Sequence, residues 1–144
     1  MSKKAFTLIE IMLVMAILTL LSTVVIPISL RARHNANEVA AIASLRTINT
    51  ACTSFFATQT PPTYPASLGI LGSATPPYID AALANAASSA TARRGYFYAY
   101  TLVNANQFTC TATPAISNTT GTRVFFMDET GIVRLNNSAG ASVE

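Results

Sequence analysis

Few side chains in this sequence could do chemistry, and the one in the least comfortable setting is Glu10. It stands within "FTLIEIMLVMAILTLLSTVVIPISL", where it is the only formal charge between Phe6 and Leu30. A lone carboxylate at the centre of a membrane-spanning helix costs on the order of 3 kcal/mol. Such a group either snorkels to the headgroups from near a helix end or finds a partner of opposite charge. The remaining candidates are sparse. His34, the only histidine, lies beside Arg31 and Arg33 and could pair with Glu38 one helical turn on, but it has no companions at ligand spacing. Asp128 and Glu129 are adjacent acids in a turn, far short of the six to eight oxygens that calcium takes. Cys52 and Cys110, the two cysteines, allow either one disulfide or two buried free thiols. Arg93 and Arg94 precede "GYFYAY". Basic residues beside aromatics are the ingredients of a single-stranded nucleic-acid contact, or else a loop end leading into a core strand. No G-x-S-x-G, P-loop or Cys–His pattern is present, so the residues point to no enzyme, no cofactor and no metal.

The elements that must position these groups begin with the apolar run. Residues 6–30 form a helix of roughly 37 Å at 1.5 Å per residue, enough to cross a hydrocarbon core of about 30 Å. Lys3 and Lys4 precede it, while Arg31, Arg33 and His34 follow. Those flanks balance, so the positive-inside rule leaves the orientation open. A secretory signal would show a small-residue cleavage site shortly after its apolar stretch. Instead the chain continues with Ala41, Leu45, Ile48, Cys52 and Phe55 at helical spacing, the mark of an amphipathic face. The spacing predicts one long helix over residues 6–58, kinked or locally melted at Pro27 but not ended there.

These residues carry a resemblance. "KKAFTLIEIMLVMAIL" resembles the N-terminus of the type IV pilins and the type II secretion pseudopilins. The resemblance implies a leader at residues 1–5, cleavage between Ala5 and Phe6 by a prepilin peptidase, and methylation of the new amino terminus on Phe6. The family places Gly where this chain has Ala5. It implies that Glu10 acts in assembly, pairing with the N-terminal amine of a neighbouring subunit, and that Pro27 sits where many pilins have a proline. It also resolves the orientation: leader in the cytoplasm, remainder outside.

Beyond the helix the pattern changes twice. Residues 57–95 hold five prolines and patches of small residues, which predict a connection with little regular structure and a short helix in "PPYIDAALANAA". From Gly95 the period becomes two. "GYFYAYTLV" puts Tyr96, Tyr98, Tyr100 and Leu102 on one face, and "QFTCTAT" does the same for Phe108, Cys110 and Ala112. "TRVFFMDETGIVRL" reads as a second hairpin turning at Asp128–Gly131. A sheet of about four antiparallel strands with one apolar face needs a cover, and the Leu45/Ile48/Cys52/Phe55 stripe supplies it.

The expected fold is therefore α+β and pilin-like. A leader at 1–5 is followed by a membrane or filament-core helix at 6–30, its amphipathic continuation at 31–58, and a connecting loop with a C-terminal sheet at 59–144. Charged residues are 10% of the chain, and the net charge of +3 is too mild to require a nucleic-acid partner. A surface poor in charge suits packing against copies of itself. The resemblance implies a filament subunit whose partners are itself in a helical homopolymer, the prepilin peptidase, an inner-membrane assembly platform and, before assembly, membrane lipid. The alternatives are a pseudopilin building a periplasmic pseudopilus, and a minor pilin that binds DNA or surfaces through Arg93 and Arg94. The expected location is the bacterial inner membrane, with the C-terminal part periplasmic, and then an extracellular or periplasmic filament.

Overall fold

The computed structural model describes residues 6–143 and divides between Arg33 and His34 into two units. One helix, α1 (Leu8–Thr58), contributes to both. It starts at a threonine cap, where the backbone N–H of Glu10 donates to Thr7 Oγ1 at 3.3 Å. Capping of this kind satisfies a donor that the first turn otherwise leaves orphaned. The helix runs through Pro27 without a break, although the proline has no N–H to offer the carbonyl of Thr23.

In the first unit the large apolar side chains of α1 stand exposed, among them Leu8, Ile9, Met12, Leu20 and Ile28. Three of its hydroxyls are satisfied inside the helix. Thr19 donates to the Met15 carbonyl at 3.0 Å, Ser22 to Leu18 at 2.8 Å and Thr23 to Leu20 at 2.8 Å. An apolar medium requires this of a polar side chain. The helix is long and apolar enough to cross a membrane.

In the second unit α1 becomes one-sided. Ala41, Leu45, Ile48 and Cys52 are buried while Arg46, Thr47, Thr50 and Thr53 face out. The buried stripe joins one core with the inward residues of a four-stranded antiparallel sheet: β1 (Tyr96–Asn104), β2 (Gln107–Pro114), β3 (Phe125–Asp128) and β4 (Val133–Leu135), in that order across the sheet. Burial alternates along β2 and β3, as a sheet with one covered face demands. The register sets Tyr98 opposite Ala112 and Tyr100 opposite Cys110, with Cys110 in turn opposite Met127. Gly131 takes a φ of 76° at the expected β3–β4 turn, the left-handed value that glycine adopts most readily.

The connection between α1 and β1 holds more structure than its prolines suggest. A six-residue helix, α2 (Leu68–Ser73), buries Leu68 and Leu71. Its sequence, LGILGS, lacks a side-chain cap and carries two glycines, so nothing local announces it; burial of two leucines holds it in place. The expected helix in "PPYIDAALANAA" shrinks to one turn, α3 (Ala81–Ala84), with Asp80 accepting from the Leu83 N–H at 2.6 Å. Tyr64 is drawn against the β1–β2 hairpin: its N–H donates to the Ala105 carbonyl at 3.0 Å and its ring packs 4.7 Å from that of Phe108.

Glu38 does not pair with His34 in the manner the helical spacing allows. It is 3% exposed and its carboxylate grips the segment leading into β3. Arg123 Nε donates to Oε2 at 2.6 Å and Arg123 Nη2 lies 2.5 Å away. Thr122 donates to Oε1 through its N–H at 3.2 Å and through its hydroxyl at 3.1 Å. Asn37 assists by donating to the Thr120 carbonyl at 2.8 Å. Burial pushes the Glu38 pKa up, but the hydrogen bonds from Arg123 and Thr122, with the charge of Arg123, outweigh it and hold the pKa below the usual value. A depressed carboxylate stabilises the fold above its unfolded pKa, and that contribution fades as pH falls through the folded value. Replacing Glu38 with Gln should cost about 1–3 kcal/mol at neutral pH and flatten the decline in stability below about pH 4. Urea titrations of the parent and Glu38→Gln at several pH values measure both. A variant as stable as the parent at pH 7 would remove the clamp from the account.

Candidate functional site

Glu10 sits in the first turn of α1, at the third helical position after the Thr7 cap. A carboxylate there meets the positive end of the helix dipole, which stabilises it by some tenths of a kcal/mol. That is small beside the cost of holding the charge in hydrocarbon. Among the described residues Glu10 forms no ion pair, and the side chains around it, from Phe6 and Leu8 to Met12, are exposed and apolar. Thr7, whose cap fixes where the helix and its acid begin, was not singled out from the sequence; the T-x-x-E spacing of a capping box was its signal. Ala5, and with it the Ala5–Phe6 bond, lies outside the described residues. Phe6 precedes the Thr7 cap and is exposed.

No aromatic of the strand that follows Arg93 and Arg94 is fully exposed, Phe97 and Tyr100 being half-buried. Tyr96 and Tyr98 are fully buried, so they serve the core and offer no face for a base to stack on. Arg93 Nη2 lies 2.6 Å from Asp80 Oδ2, an ion pair the sequence did not suggest because twelve residues, α3 among them, separate the partners. Asp128 and Glu129 are likewise engaged. Asp128 accepts from the Thr130 hydroxyl and pairs with Arg134 at 2.7 Å, and Glu129 accepts from Gln107 at 3.4 Å. These bonds are those of a hairpin turn. Among the described residues no three His, Cys, Asp or Glu side chains gather as a metal would require.

Cys52 on α1 and Cys110 on β2 are both buried, and both are free thiols. Burial pushes the Cys52 pKa up to about 12, against a smaller lowering by the Tyr100 hydroxyl. Cys110 is raised further, by burial and then by the charge that Cys52 would carry. Each thiol therefore stays protonated at neutral pH, and neither is a nucleophile.

Comparison with known protein families matches residues 1–26 to the prokaryotic N-terminal methylation motif. The chain thus carries the N-terminal motif of type IV prepilins and pseudopilins over a stretch that includes Phe6, Glu10 and most of the apolar run. No curated protein and no solved structure matches the chain.

The thiol environment makes a direct prediction. In the reduced, folded chain at pH 8, iodoacetamide should label neither cysteine over a time in which it labels both in urea, with mass spectrometry counting the adducts. Rapid labelling of the folded chain at Cys52 or Cys110 would contradict the burial described here.

Proposed function

From the methylation motif at its N-terminus and its α+β, pilin-like fold, we propose that this chain is a structural subunit of a type IV pilus or pilus-like filament. The motif itself supports a pilin-like or pseudopilin protein that a prepilin peptidase processes. In our reading the peptidase cuts between Ala5 and Phe6 and methylates the new amine. The subunit then waits in the inner membrane with its second unit periplasmic, until the assembly platform adds it to the filament.

One observation carries the proposal: within the methylation motif, an acid stands in the first turn of a helix that as far as Leu30 carries no other charge and exposes apolar side chains. Once Phe6 is the N-terminus, each subunit offers one ammonium and one carboxylate within a single turn. Both are costly when unpaired in a low-dielectric bundle, and removing one partner of such a pair leaves the other charge stranded. Pairing Glu10 with the amine of an adjoining copy satisfies both, and it does so only in the correct axial register. The apolar side chains of residues 8–30 then cover one another between copies, as lipid covers them beforehand. We further propose that, on export to an oxidising compartment and before the core closes over them, Cys52 and Cys110 form a bridge. The two thiols would pass two electrons and two protons to the disulfide of a thiol oxidase. Both lie in the same buried cluster. The alternative placement, a short periplasmic pseudopilus, differs in where filaments appear.

Glu10→Ala and Glu10→Gln should reduce sheared surface filaments roughly tenfold or more, since about 1.4 kcal/mol of lost pairing is already a factor of ten. The amount of subunit in the membrane should not change. Filaments of the parent should begin with N-methylated Phe6 by mass spectrometry. Normal filament yield from Glu10→Gln, or an intact Met1 in the filament, would overturn the proposal.

A further inference from the structure

The turn that enters β1 contains a backbone anomaly. Among the described residues three other than glycine have positive φ, and two of them, Asn118 and Asn136, are of the type that tolerates it. The third is Arg94, at φ 50°. Arg93 and Tyr96 exchange two backbone hydrogen bonds, 2.8 and 3.1 Å, around Arg94 and Gly95. This is a tight two-residue turn with positive φ at both central positions, where Asn-Gly or Gly-Gly is the relaxed choice. Gly95, at φ 79°, packs so closely that a Cβ would stand 2.8 Å from Thr120 Cβ. The turn is therefore held in place, with a long cationic side chain at the position where a small residue would be relaxed. Strain of this kind persists where something else gains from it.

Beside the turn lies a cavity of about 270 Å³ lined by both arginines. Its cations differ in availability. Arg93 is held by Asp80, whereas Arg94 is exposed and, among the described residues, has no carboxylate partner. With Asp80 included, the wall carries one net positive charge, suited to a single negative charge. The other polar groups of the wall belong to α1. The Ser44 hydroxyl donates to the Ala40 carbonyl at 2.8 Å and that of Thr47 to Ala43 at 3.0 Å. Their hydrogens are committed to the helix; Ser44 also faces the Tyr98 hydroxyl, which leaves the exposed Thr47 as the wall's free hydrogen-bond acceptor. Ala43 adds apolar surface. The complementary ligand has one carboxylate for the planar guanidinium of Arg94, a hydroxyl donor for Thr47, and a C–H face for the apolar wall.

We propose that this cavity binds a hydroxylated carboxylate of the sugar-acid class, a uronate, with Arg94 held in its strained turn to receive the carboxylate. A deoxynucleotide strand fits less well. Its sugar hydroxyls are esterified, and the neighbouring Tyr96 and Tyr98 are too buried to stack with bases. The site stands on the second unit alone and does not depend on filament assembly.

The test uses the full chain, labelled with ¹⁵N, in micelles of a detergent without a sugar headgroup. Sodium D-glucuronate should move the Gly95 and Ser44 amide resonances saturably, with a midpoint of about 1–10 mM. Glucose, which lacks the charge, should leave them still, and dimethyl phosphate should act more weakly than glucuronate. Arg94→Asn should weaken glucuronate binding roughly tenfold or more while raising the thermal midpoint, because asparagine relieves the turn. Absence of a saturable response to glucuronate, or undiminished binding by Arg94→Asn, overturns the site. A lower or unchanged thermal midpoint in that variant overturns the role given to strain. Dimethyl phosphate binding as tightly as glucuronate overturns the sugar-acid assignment in favour of a phosphodiester.

Discussion

A helix that is apolar on every side has no stable place in water, and this constraint governs the first unit. From Leu8 to Leu30 the described chain supplies no cover for α1. At roughly 25 cal/mol for each Å² of apolar surface, side chains this exposed drive the segment into lipid or against other helices. Neither setting tolerates an unpaired charge. In the filament we propose, the carboxylate of Glu10 is the feature in the segment that tells a correct neighbour from an incorrect one. Leucine and isoleucine pack acceptably in many registers, whereas an ion pair is satisfied in few.

The same helix meets the opposite demand in its second half. There the sheet has one apolar face, and α1 covers it with Ala41, Leu45, Ile48 and Cys52 while presenting threonines and arginine outward. A second device fixes the match. Glu38 and Asn37 bind the segment between β2 and β3, Tyr96 donates to the Arg123 carbonyl at 2.9 Å, and Arg123 lies 5.6 Å over the ring of Phe125. Packing alone would allow the helix to slide along a greasy face; a buried carboxylate with four donors permits far less sliding.

Much of this was legible in the residues because it rests on period and local chemistry. The alternation in "GYFYAYTLV" and "QFTCTAT" assigns β1 and β2 their inward faces, and the register follows from one short turn. The stripe from Ala41 to Phe55 gives the covering face of α1. What escaped depends on residues far apart in the chain. Glu38 has a nearby candidate in His34, and no periodicity favours Arg123 over it. Helix α2 lacks caps and propensity, so only the burial of its leucines in the finished core accounts for it. Of the candidate residues, Glu10 was conspicuous by its setting, whereas the strain at Arg94 is a property of backbone angles that an arginine in a sequence does not advertise.

The distribution of charge connects these observations. Beyond Pro27 the chain has seven arginines and five acids. Three of the acids, Glu38, Asp80 and Asp128, are bound to arginines of the same unit, and Glu129 is held by Gln107. These four acids thus act inside the unit, fastening one segment to another. Much of its exterior is alanine, serine, threonine and scattered apolar side chains such as Val39, Val103 and Ile116. Copies approaching one another through such a surface meet little like-charge repulsion and little specific attraction. In the filament we propose, selectivity between neighbours comes from the apolar helix and its single acid, while the exposed arginines stay available to ligands in solution. On that reading, so lightly charged a chain keeps a carboxylate where it costs most because that is where neighbours are told apart.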